Sequence, residues 1–274
     1  MSVADNNPSL RPHRHMTFDI LIVVAAYNEA ERISATLAAL AAAFPGAPVW
    51  VADDGSTDAT PEHARAAGAT VVRCPRVIGK GQAMTAGVRA ALADVDLLDD
   101  ATRVRARARV HGDPDNSSAQ PPAPASASVL HAEPIVILCD GDLGESAREL
   151  PALAEAIRRG DTDLAVAAFA TRVGGGFGLA LATARWVISR RCGLSTRAPI
   201  SGQRAMRAGV LRDVLPFAAG FGMEVGMTID TVRAGHRVVE VDLDLAHRAT
   251  GRTPAGFAHR GRQLIDFLRV YLAR

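Results

Sequence analysis

The chain has 274 residues, 48% of them hydrophobic, enough apolar material for one large domain or two small ones. Its formal net charge of +2 excludes a molecule steered as a whole onto nucleic acid or an anionic membrane. Three cysteines without a CxxC pair exclude a disulfide framework and a zinc site, and no apolar run reaches the ~20 residues that span a bilayer.

The opening MSVADNNPSLRPHRH lacks the apolar stretch of a signal peptide, so the expectation is a soluble cytoplasmic protein. FDILIVVAA (18–26) reads as a fully buried strand, and residues 28–44 carry Ile33, Leu37, Leu40 and Phe44 at helical spacing. VWVAD (49–53) is a second strand. A helix over 56–68 follows, with Ser56 or Asp58 as its cap and Gly68 at its end. TVVRC (70–74) is a third strand, and a helix starts at the glycine-flanked GKG (79–81) and runs to about Leu92. Strand, helix, strand, helix is the rhythm of an α/β domain with a mainly parallel sheet.

That rhythm fails over 99–134, where RVRARARV leads into a stretch rich in Pro, Ser and Ala; it reads as a disordered insertion. IVILC then forms a strand, 147–160 a helix, 163–169 a strand, and 171–193 a glycine cluster that becomes helical. A short strand or turn and a helix over 199–217, a helix within 220–236, a strand over 237–247 and an amphipathic helical tail complete the chain.

Chemistry gathers at the strand ends. Residues i and i+2 of a strand share a face, so Asp140 and Asp142 of LCDGDL project together from the end of a buried strand. Ligands bind at such ends in open α/β sheets. Two hard carboxylates crowded there repel unless a cation lies near, and oxygen ligands favour Mg²⁺ or Mn²⁺. An EF-hand is excluded, because the twelfth position counted from Asp140 is Pro151. VADDGSTDAT ends its strand in Asp53 and Asp54, and AAYNEAERI ends its own in Asn28 and Glu29. Each alone serves as a helix cap; three neighbouring polar strand ends point to one rim for one ligand. Composition adds Lys80. Of 31 basic residues 30 are arginine, so the single lysine is a candidate for what a planar guanidinium cannot do, acting as a compact point charge; chance retention is the plainer alternative.

These segments, AAYNEAERI, VADDGSTDAT, GKGQAMTAGV and LCDGDL in this order, resemble the donor half of family-2-type glycosyltransferases with the GT-A fold. SGQRAMR, GFGMEVGMTID and VDLDLAHR resemble the glucosyl-3-phosphoglycerate synthase group. The resemblance covers 18–272 apart from the insertion. It implies a Rossmann-like, mainly parallel sheet flanked by helices, with a nucleotide-sugar half over 18–170 and an acceptor half of helix and strand over 171–274. It implies that Ala25, Ala26, Tyr27 and Glu29 line the nucleotide, that Asp54 faces the base, and that Lys80 lies beside the diphosphate or the loop of Asp140 and Asp142. Asp140 and Asp142 would hold the metal on the diphosphate, with His247 completing the metal site. Glu224 is the candidate for contacting or deprotonating an acceptor hydroxyl, and helical pairing with an arginine is its plainer alternative.

Arg172, Arg185, Arg204, Arg207 and Arg248 offer positive charge to an anionic acceptor, since guanidinium binds carboxylate and phosphate in bidentate fashion. The implied reaction moves a hexose from UDP-glucose to an acceptor such as 3-phosphoglycerate. A polyprenyl phosphate is the alternative acceptor, which would make the protein peripheral at the membrane; a homodimer fits either. A sugar nucleotidyltransferase is disfavoured, because AAYNEAE stands where a glycine-rich GGxGTR-like loop belongs. A dehydrogenase is disfavoured because no GxGxxG follows the first strand.

Overall fold

The computed structural model describes residues 19–94, 133–169, 178–245 and 254–274, the last from 264 onward as far as side chains are concerned. Seven strands form one sheet in the order β3-β2-β1-β4-β6-β5-β7. They are β1 (Ile20–Ala26), β2 (Val49–Asp53), β3 (Thr70–Arg73), β4 (Ile135–Asp140), β5 (Leu164–Phe169), β6 (Arg204–Arg207) and β7 (Val238–Leu243). All neighbours are parallel except β6, which runs antiparallel to both β4 and β5. Eight α-helices are described: α1 (Ile33–Ala43), α2 (Thr60–Ala66), α3 (Lys80–Asp94), α4 (Pro151–Arg158), α5 (Gly178–Cys192), α6 (Ala208–Val214), α7 (Met223–Arg233) and α8 (Pro254–Ala273). The architecture is the α/β, mainly parallel one expected. Strands β6 and β7, from the second half of the chain, enter the same sheet as the first half.

The layering follows from the β1 sequence. Ile20, Ile22, Val24 and Ala26 point to one face and pack with Ile33, Leu37 and Leu40 of α1 and Leu153 and Ile157 of α4. Leu21 and Val23 point to the other and meet Met84 and Val88 of α3 and Met223 and Met227 of α7. A strand buried on both faces has no polar alternation, which is why ILIVVAA reads as one apolar run. Each fully buried Val, Leu or Ile contributes about 1.5–3 kcal/mol relative to exposure. A third, smaller cluster joins α5, α7 and α8 through Ala184, Ile188, Val225, Ile229, Phe267 and Val270.

Several boundaries differ from expectation for local reasons. Helix α1 starts at Ile33 rather than 28, because residues 28–30 bond across to the 56–60 loop. Helix α2 starts at Thr60 without a side-chain cap: Ser56 is engaged by Asp53, and Asp58 accepts from Thr60 N and Ala30 N. Residues Gly144–Glu149 form a 3-10 turn before α4 rather than the first turn of a longer helix. The insertion expected over 99–134 lies outside the described residues except for 133 and 134, where Glu133 accepts from Gly209 N and pairs with Arg212.

Candidate active site

The parallel strands β1, β2 and β4 place their C-terminal ends side by side, with Ala26 opposite Asp53 and Ala25 opposite Asp140. Their loops are tied before any ligand arrives. Asn28 N donates to Ser56 Oγ (2.9 Å), Thr57 N to Asn28 Oδ1 (2.9 Å), Glu29 N to Thr60 Oγ1 (2.8 Å) and Ala30 N to Asp58 Oδ2 (3.1 Å). Asn28 makes this possible at φ 55°, a left-handed conformation that asparagine tolerates. Past β4, Gly141 N donates to Ala25 O (2.8 Å), and Thr36 Oγ1 donates to Gly141 O (2.8 Å). A Cβ on Gly141 would come 3.0 Å from Ile33 Cδ1 and 3.1 Å from Ala25 O. The glycine between the two acids therefore lets β4 lie close against β1 and α1.

A cavity of about 250 Å³ opens over these ends, lined by Ala25, Ala26, Tyr27, Glu29, Asp54, Lys80, Asp140 and Asp142 among others. Seven of these are the residues expected to bind a nucleotide sugar and the eighth is the second acid of DGD; one cavity brings them together. Ala52, Ala83, Met84 and Gly141 complete the wall. Asp54 does more than face the cavity. Its carboxylate accepts from Ile78 N (2.7 Å) and from Gly79 N (3.0 and 2.9 Å to its two oxygens), which fixes the turn into α3. Gly81 is required beside Lys80, because a Cβ there would lie 1.8 Å from Ala218 O.

Lys80 is the electrostatic centre. Its Nζ lies 2.6 Å from Asp140 Oδ1 and 2.7 Å from Glu224 Oε1, bridging carboxylates from two elements far apart in sequence. Burial works against the charged amine, but Asp140 and Glu224 outweigh it and hold Lys80 well above the ordinary lysine range. Asp140 Oδ2 accepts from Gln203 Nε2 (2.8 Å), whose Oε1 accepts from Ser201 Oγ (3.1 Å). Sequence reasoning passed over Gln203 and the adjoining Gly202, where a Cβ would lie 2.5 Å from Asp140 Oδ2 and 2.8 Å from Lys80 Nζ. The only signal was SGQR, a polar run that enters the sheet.

The arginines expected at the acceptor distribute differently. Arg204 is corrected. It is 1% exposed and donates to Ser201 O (2.9 Å), Thr228 Oγ1 (3.0 Å) and Pro199 O (3.5 Å), a structural core arginine. Burial pushes its pKa down to about 10 despite Glu224, Glu240 and Asp140 nearby. Arg207 is corrected too. It pairs with Ile135 at the start of β4, the opposite end of that strand from Asp140, and donates to Ile157 O. Arg185 on α5 donates to Arg197 O, outside the cavity. Arg172, His247 and Arg248 lie outside the described residues.

Among the described residues no three His, Cys, Asp or Glu side chains converge as a ready-made metal cage. Asp140 and Asp142 nonetheless present hard oxygen donors to one cavity, the chemistry of a site for Mg²⁺ or Mn²⁺, which take their remaining ligands from water or phosphate. The donor set fits such an ion. Cys74 and Cys139 are free and buried, and no helix among the described residues is long and apolar enough to cross a membrane.

Comparison with known proteins agrees with this geometry. The Glycosyl transferase family 2 model matches residues 21–101, which contain the first two strand-end loops and Lys80. An undecaprenyl-phosphate mannosyltransferase of Micrococcus luteus is 27% identical over 270 residues, covering 93% of this chain and 94% of its own. Glucosyl-3-phosphoglycerate synthase of Mycobacterium tuberculosis, solved with Mn²⁺, UDP-glucose and glycerol 3-phosphate, superposes with a TM-score of 0.62 at 25% identity, over 92% of this chain and 79% of that one. The same synthase with Mg²⁺ and UDP gives 0.62 at 25% identity, over 92% and 78%. The chain is thus a glycosyltransferase of the GT-A fold that carries a family 2 segment at residues 21–101.

Proposed function

We propose that this glycosyltransferase takes a UDP-sugar, with glucose as the leading candidate, and transfers the sugar to a phosphate-bearing acceptor. The observation that carries the reading is the Asp140–Lys80–Glu224 bridge, whose Asp140 and Lys80 line the donor cavity. In the transfer, the bond from the anomeric carbon to the diphosphate oxygen breaks and its electron pair stays with the diphosphate. An acceptor oxygen forms the new bond. Asp140 and Asp142 would hold a divalent ion, which supplies Lewis-acid neutralisation of the diphosphate when bound. Lys80 adds a fixed positive charge beside the same leaving group, and such preorganised charge acts most strongly where water is excluded.

We assign Glu224, 5% exposed and held by Lys80, to contact an acceptor hydroxyl or accept its proton. A phosphate-oxygen acceptor has no such proton to lose. The synthase solved with phosphorylated small molecules supports a small phosphorylated acceptor, and the near full-length likeness to the mannosyltransferase supports a lipid phosphate.

The test measures release of nucleoside diphosphate from UDP-glucose, other UDP-sugars and GDP-mannose with Mn²⁺, each with 3-phosphoglycerate or a short polyprenyl phosphate. One donor–acceptor pair should turn over, and Asp142→Asn should reduce it by about two orders of magnitude or more. Full activity in Asp142→Asn, or no acceptor-dependent release from any sugar nucleotide, would overturn the proposal.

A further inference from the structure

Away from the cavity, α5 and α8 carry large apolar side chains that the fold leaves uncovered. Leu179 is 69% exposed and Trp186 50% on α5, and Ile265 is 51%, Leu268 49% and Leu272 82% exposed on α8. On α8 the three lie at i, i+3 and i+7, one stripe along one side of the helix. Phe267 and Val270 take the opposite side, buried against α5 and α7. The packing need of α8 is thus met by its inner face, and the outer stripe is surplus. The two helices join through Trp186, whose ring centroid lies 4.9 Å from that of Tyr271, itself one turn from Leu268. Arg191 stands over the same tyrosine at 5.3 Å.

Charge on these helices is one-sided. Their described residues include Arg185, Arg190, Arg191 and Arg269 against a single acid, Asp266. Asp266 is turned inward, accepting from Phe221 N (3.1 Å) while pairing with Arg269 (3.1 Å). The surplus of three positive charges on two helices exceeds the +2 of the entire chain. Leucine, isoleucine and tryptophan framed by arginine, with no outward acid among the described residues, is the composition of a helix face that lies in a headgroup layer.

We propose that the outer face of α5 and α8 seats the protein on an anionic phospholipid bilayer. Trp186, Leu268 and Leu272 enter the boundary between headgroups and acyl chains, and Arg190 and Arg269 meet lipid phosphates. A second copy of the chain suits this face less well, since self-association there brings arginines against arginines. The face is also linked to the donor cavity. Residues 220–222 pack on α8 through the Phe221–Asp266 bond, and a Cβ on Gly79, next to Lys80, would lie 3.5 Å from Gly220.

The test uses the full chain without donor or acceptor, so its outcome is independent of the transfer reaction. Trp50→Phe leaves Trp186 as the sole tryptophan reporter of two. The protein should co-sediment with vesicles containing phosphatidylglycerol and not with pure phosphatidylcholine, and Trp186 emission should shift to the blue. Leu268→Asp with Leu272→Asp should weaken partitioning by about tenfold or more. Arg190→Glu, on an exposed position that cannot disturb the core, should weaken it by a smaller, salt-dependent factor. Several results would overturn the proposal: no binding to anionic vesicles, equal binding by the variants, a dimer in sedimentation velocity that Leu268→Asp dissociates, or a Trp186 that acrylamide cannot quench before vesicles are added.

Discussion

Lys80→Met keeps the unbranched stem of the side chain and removes the terminal ammonium with its charge. The ammonium lies 2.6 Å from Asp140 Oδ1 and 2.7 Å from Glu224 Oε1. Without it, the two carboxylate oxygens are left no more than about 5 Å apart, where two negative charges repel by roughly 3 kcal/mol at an effective dielectric near 20. The folded variant relieves that repulsion by keeping one proton on the pair, and 3 kcal/mol corresponds to about two pH units. The sign follows from proton linkage. The folded variant binds a proton more tightly than the unfolded chain, so stability is present at acid pH and is lost as pH rises through the raised value. In the wild type, Lys80 is raised by Asp140 and Glu224 against burial. Its contribution is therefore complete below about pH 10.4 and declines only as pH rises through the folded-state value. Urea denaturation of both proteins at about pH 5 and about pH 8 should show the variant losing about 2 kcal/mol more than the wild type across that interval. Equal destabilisation at both pH values would refute the shared-ammonium account.

Gly202→Ala should lower affinity for a UDP-sugar in calorimetry by about tenfold while costing about 1–3 kcal/mol of stability, because the new Cβ forces Asp140 away from Lys80 and Gln203. Unchanged donor affinity would show that Asp140 does not need its present position. Arg204→Met should lower the thermal midpoint, at a cost of about 2 kcal/mol or more, by stranding Ser201 O and Thr228 Oγ1 without a donor. A fully stable variant with a raised acceptor KM would instead restore the arginine to acceptor binding. Glu240 lies within β7 opposite Val166, and burial there is outweighed by the Thr196 hydroxyl, the Ala198 and Arg197 amides and the Arg197 guanidinium, which hold its carboxyl below the usual range. Its contribution is present above about pH 4.3 and lost as pH falls through the folded value. Glu240→Gln should therefore flatten the acid limb of a stability profile, and parallel acid limbs would refute the assignment.

The donor side was legible because its signals are local. A strand buried on both faces is one apolar run, a loop over a ligand starts with Asp or Asn, and the space beside Lys80 admits only glycine. The second half of the chain was less legible because its placements are pairings between distant segments. Strand β6 runs antiparallel between two strands that are parallel to the rest, so Arg204 and Arg207, three residues apart, stand at opposite ends of the strand. Nothing in SGQRAMR announces that direction. In a chain whose basic residues are almost all arginine, one buried arginine also looks like its surface neighbours. Gln203 escaped notice because its importance lies in the carboxylate it orients, 63 residues earlier in the chain.

Asp54 sets a condition on how this enzyme meets its donor. The oxygens it presents to the cavity are the same ones that fasten the entry of α3, one residue before the lysine that spans the two carboxylates. A nucleobase that draws on Asp54 therefore competes with that fastening. Reciprocity then requires that any rearrangement of Lys80 be felt as a change in nucleotide affinity. Were a base to draw on Asp54, its recognition and the readiness of the charge would be two readings of a single carboxylate.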